Sequence, residues 1–94
     1  MDIEVMIPEN ENKTNYGQIV IDRVLKKLET SNCVSLFRNE CYNSGIAEDV
    51  AKMFAEKKYH VKINYFLNGQ MQMLVVSRNP LKETTGRMIY SVEF

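Results

Sequence analysis

The chain has 94 residues, 45% of them hydrophobic and 26% charged, and its 12 Lys and Arg residues balance 12 Asp and Glu. A chain this short supports one core, so it reads as a single domain over 1–94 with little room for a deep substrate cleft. Zero net charge removes the overall field that gathers nucleic acid or anionic lipid, and no apolar run approaches the roughly 20 residues of a membrane span.

The opening residues Met1, Asp2, Ile3 and Glu4 lack the basic and apolar regions of a secretory signal, so cytoplasm is the expected location. Cys33 and Cys41 form no CxxC pair and have no His beside them, which predicts two reduced thiols and neither a disulfide framework nor a metal site. No cofactor is implied either, because Gly17, Gly45, Gly69 and Gly86 are too scattered for a phosphate-binding loop.

Ile3, Val5 and Ile7 alternate with polar residues, the period of a strand with one buried face. Residues 9–15 are polar and rich in turn formers, and are expected to be an exposed linker. Asn15 can cap a helix over 16–29, in which Val20, Ile21, Val24, Leu25 and Leu28 recur at helical spacing. Residues 33–37 alternate again and predict a short strand. Asn43, Ser44 and Gly45 then supply capping chemistry for a second helix over 45–58, with Ile46, Ala47, Val50, Ala51, Met53 and Phe54 on its apolar stripe.

Tyr59, Val61, Ile63, Tyr65 and Leu67 share one face of a strand, and Asn68 and Gly69 mark a tight turn into a second strand over 70–78. Asn79 and Pro80 end that strand. A polar loop over 79–86 follows, and Met88, Tyr90, Val92 and Phe94 define one side of a last strand. The order is βαβαβββ, and the expected fold is α+β: two helices packed on one face of a small, largely antiparallel sheet of four to five strands.

In this register Phe66, Leu74, Val76 and Ile89 fall on the sheet face away from the main apolar set, where a single-layer sheet is mostly polar. Either the register near the turn is off by one residue or a loop covers these side chains, or they form a surface for a protein partner or a second copy of the chain. Arg78, Lys82 and Arg87 surround the 79–86 loop and are the cations expected to meet an acidic partner or a phosphate. Shortening residues 81–85 to a two-residue turn is expected to leave the fold intact and to weaken partner binding.

Little in the sequence assembles into catalysis. His60 is the one histidine and lies on a polar strand face between Lys58 and Lys62, which oppose its protonation. Cys41 precedes a helix N-terminus that would favour a thiolate, yet no base accompanies it. A non-catalytic binding protein is therefore the first reading. A small RNA- or DNA-binding domain is the alternative, with Lys57, Lys58, Lys62, Arg78, Lys82 and Arg87 as its basic patch and Phe66 with Tyr65 or Tyr90 as stacking platforms.

Over residues 15–78 the pattern resembles a loose group of small phage-encoded proteins with a helix, a short strand, a second helix and a hairpin. In that group a Lys-x-Gly-Tyr-x-Val junction follows the second helix and a later strand ends in Ile-Ser-Trp. Here Lys57, Lys58, Tyr59 and Val61 occupy the first motif and Val76, Ser77 and Arg78 the second, with Lys58 in place of glycine and Arg78 in place of tryptophan. The group has no shared established activity, so the resemblance implies phage origin and assigns no site residue; absent chemistry and spare apolar sheet surface suggest an accessory factor that binds a host protein or assembles with its own copies.

Overall fold

A computed structural model describes residues 9–82 and 88–94. The strand expected over Ile3 to Ile7 and the tip of the 79–86 loop lie outside the described residues. The elements are α1 (Glu9–Leu28), β1 (Cys33–Phe37), a 3-10 turn (Arg38–Glu40), α2 (Ser44–Glu56), β2 (His60–Phe66), β3 (Met71–Ser77) and β4 (Ile89–Glu93). The four strands form one sheet in the order β1-β3-β2-β4 with every neighbouring pair antiparallel. The chain is α+β, as its two periodicities require.

The helix α1 begins earlier than the sequence pattern suggested. Residues 9–15 are helical, and Asn15 sits inside the helix instead of capping it. That stretch contains neither Gly nor Pro, so nothing in it breaks a helix. Gln18, expected to close a capping box, donates along the helix to Asp22 at 2.9 Å. Capping of α2 follows expectation: the Asn43 side chain accepts the Ile46 N–H at 2.9 Å.

The core lies between the helices and one sheet face. Val20, Val24 and Leu28 of α1 and Ile46, Val50, Ala51 and Phe54 of α2 meet Val34, Leu36, Val61, Ile63, Leu74 and Val76 from three strands. Leu74 pairs with Leu36 and Ile63, and Val76 with Val34 and Val61, so both belong to the core. This corrects the placement of Leu74 and Val76 on the second face. The β2–β3 register shifts only next to the turn, between Asn64 and Tyr65; beyond it Ile63 stands opposite Leu74 and Val61 opposite Val76, the pairing that a two-residue Asn68-Gly69 turn dictates, so these side chains share the core face.

The turn between β2 and β3 has the expected chemistry. Gly69 takes φ +92°, and the Phe66 N–H donates to the Gln70 carbonyl at 2.8 Å. Two other residues hold left-handed backbone without being glycine, Tyr42 at φ 71° and Lys58 at φ 76°. Lys58 terminates α2 at the position where a helix end favours glycine. Tyr42 is held by its ring, 4.5 Å from that of Tyr16 and 5.4 Å from the Arg23 guanidinium.

The connection from β3 to β4 is not a hairpin. Both strands are antiparallel to β2, which lies between them, so they run parallel to each other. Ser77 leaves β3 beside His60 at the start of β2, whereas Ile89 enters β4 beside Phe66 at its end. Residues 78–88 must therefore travel the length of β2, about 23 Å for its seven residues. The described part, residues 79–82, passes over the face away from the helices: Lys62 Nζ donates to the Lys82 carbonyl at 3.1 Å, and Pro80 and Leu81 line a hollow with Met73 and Val75. Val75 is only 6% exposed although it points to that face. The expectation that residues 81–85 are dispensable to the fold assumed a hairpin loop, whereas this connection is a crossover between parallel strands.

Candidate protein-binding surface

The helix layer stops short of β4. The helix α2 packs on β2 and β3, and α1 packs on α2 and β1. Tyr90 and Val92 point to the helix side of β4, opposite Tyr65 and Ile63, and are 44% and 40% exposed. Met88 and Leu67 extend the same stripe at 64% and 59% exposure, joined by a hydrogen bond from the Leu67 N–H to the Met88 carbonyl at 3.2 Å. Among the described residues β4 has a single neighbour, so the stripe lies along an unpaired sheet edge.

The inner margin of this stripe is fixed by Tyr65. Its ring stacks on Tyr90 with centroids 5.4 Å apart, and its hydroxyl donates to Glu48 Oε2 on α2 at 2.8 Å. Burial, followed by the bond to the Glu48 carboxylate and its charge, pushes the phenol up to about 12. It stays a protonated donor at neutral pH and ties the strand to the helix. Period-two alternation indicated Met88, Tyr90, Val92 and Phe94 as one face, but read it as core. The missing signal was strand order, since only the position of β4 outside β2 leaves that face uncovered. Phe94 alone of the four packs on the core.

Of the residues expected to bind a partner, Phe66 and Ile89 do lie side by side on the face away from the helices, with Phe66 exposed and Ile89 half-buried. Leu74 and Val76 are not with them. Arg78 is engaged inside the fold: its guanidinium donates to the carbonyls of Leu28 and Ser31 at 2.8 and 3.1 Å, satisfying the C-terminal end of α1. Lys82 is exposed, and its carbonyl accepts from Lys62. Arg87 lies outside the described residues.

The nucleic-acid arrangement does not assemble as expected. Tyr65 and Tyr90 face the helices, whereas Phe66 faces the other way, so the three rings make no common platform. Cys41 is fully buried, and burial pushes its thiol up to about 11, the reverse of the activation expected beside a helix N-terminus. Cys33 and Cys41 are both free thiols. Among the described residues no group of His, Cys, Asp and Glu converges to hold a metal ion, and no helix is long and apolar enough to cross a membrane. Comparison of the chain with protein-family models, curated proteins and solved structures finds no match.

Proposed function

We propose that this chain is a non-catalytic binding protein that engages a protein partner along β4. The observation that carries this reading is the apolar stripe of Leu67, Met88, Tyr90 and Val92 along an edge strand that pairs with one other strand among the described residues. Edge strands of this kind accept an added strand, with main-chain bonds supplying affinity and alternate side chains supplying selectivity. Left open, the same features favour uncontrolled association, which natural sheets avoid by covering or charging the edge. The resemblance to small phage-encoded proteins supports a phage accessory factor, with a host protein or a second copy as partner.

A photo-crosslinking amino acid in place of Tyr90 tests this in cells that contain the natural partner. A discrete protein adduct is expected, and Val92→Lys should abolish it. The same crosslinker at exposed Ser35, on the opposite sheet face, should not form it. The reading fails if both positions yield the same adducts or position 90 yields none.

A further inference from the structure

A second apolar surface lies on the opposite side of the helix layer. Two hollows of about 250 and 410 Å³ share Gln18, Ile21 and Met53 and so form one groove between α1 and α2. Ile21, Leu25, Met53 and Tyr59 supply its apolar walls. Gly17 lies at one end, and a Cβ built there would meet nothing within 4 Å. Glycine inside a helix is unfavourable relative to alanine, and no contact among the described residues requires it at position 17. Its absent side chain leaves the groove open to the approach of another backbone.

Carboxylates rim the groove on both sides. Asp49 lines it directly, and Asp22 lies one helical turn from Gln18, which donates to it. Glu56 follows Met53 by three residues on α2, which puts it beside a groove residue, and Glu29 stands in the turn just after α1 ends at Leu28. All four are exposed, and none makes a salt bridge among the described residues. The cations nearby are Lys57, which lines the far end, Lys52 on the outer surface of α2, and Lys26, four residues after Asp22 on the side of α1 away from Ile21.

We propose that this groove receives a basic amphipathic helix of another protein. Apolar side chains at i, i+3, i+4 and i+7 of such a helix would enter between Ile21, Leu25 and Met53, and its Lys or Arg residues would meet Asp22, Asp49 and Glu56 on the two rims. The site lies apart from β4, and its test is independent of the reading given to that strand.

The full chain is titrated with two fluorescent peptides of about 14 residues, roughly four helical turns, with leucine at the four anchor positions. One carries lysine and the other glutamate at the remaining positions. The lysine peptide is expected to bind at least about tenfold more tightly, and to weaken as salt is raised. Gly17→Leu, which fills the groove without displacing any internal contact, should reduce that binding about tenfold with no fall in the unfolding midpoint. The double variant Asp22→Lys, Asp49→Lys should reverse the peptide preference, and Tyr90→Lys should leave it unchanged. Equal binding of the two peptides, or full binding to Gly17→Leu, overturns the proposal. So does a dimer in sedimentation that Gly17→Leu dissolves, because the occupant is then a second copy of this chain.

Discussion

Lys58 shows how one residue can carry a conformational cost in plain view. Its φ of 76° lies in the left-handed region, where a Cβ crowds the following carbonyl and costs roughly 1–2 kcal/mol. Lys58→Gly removes that crowding, although glycine gains entropy in the unfolded chain, and the net expectation is a stabilisation of about 1 kcal/mol. Urea unfolding should show a higher midpoint at unchanged slope, and an unchanged or lower midpoint would show that the Lys58 side chain contributes more than its backbone costs. The sequence motif already marked this position, because lysine stands where a Lys-x-Gly-Tyr junction has glycine. Arg78 was less legible. Its charge suggested an external ligand, yet its donors go to the carbonyls of Leu28 and Ser31, an assignment that requires knowing that β3 ends beside the end of α1.

Among the elements, the 78–88 connection carries the clearest prediction. Replacing residues 81–85 with two residues leaves about eight residues between Ser77 and Ile89, roughly 26 Å when fully extended and barely more than the length of β2, so the connection is drawn taut and the pairing of β4 with β2 should weaken. Amide exchange would report this as lost protection at residues 90–92 and exposed amides on the freed edge of β2, while β1 and β3 stay paired. Retained protection of β4 would show that the connection takes another path. The elements themselves were largely legible: β1 matches its expected bounds, α2 differs by a residue or two, and the Asn68-Gly69 turn is where its chemistry put it. The start of α1 was not, because Asn10, Asn12, Thr14 and Asn15 all offer capping side chains and the polar run mimics a linker. Strand order was hidden for a different reason. Alternation specifies a face within each strand and says nothing about whether β4 joins β3 or β2, whereas the core face of Leu74 and Val76 was legible, because counting across the Asn68-Gly69 turn places them opposite Ile63 and Val61.

For the whole molecule, two buried groups set the response to alkali. Cys41 rises from its ordinary 9.0 to about 11 through burial, and Tyr65 from 10.0 to about 12 through burial and the Glu48 carboxylate. Both shifts are upward, so the folded state holds these protons after the unfolded chain has released them. Their contribution is constant below about pH 9 and is lost as pH climbs through about 11 and 12. Denaturation midpoints measured across this range should fall steadily, and Cys41→Ala should flatten the first part of that fall. A midpoint independent of pH up to about 11 would mean that Cys41 ionises in the folded protein as readily as in the unfolded one.

The place of β4 at the end of both chain and sheet makes it a separable part. The ladder to β2 is its one strand pairing among the described residues, and most of the core side chains come from elements that precede it. A chain ending at residue 82 should therefore keep its hairpin and helices while offering a vacant edge on β2. A synthetic peptide of residues 88–94 should reassociate there, guided by Tyr90 onto Tyr65 and by Phe94 onto the core. The protein would then work as a two-piece complementation pair, in which the short fragment reports the presence of the long one.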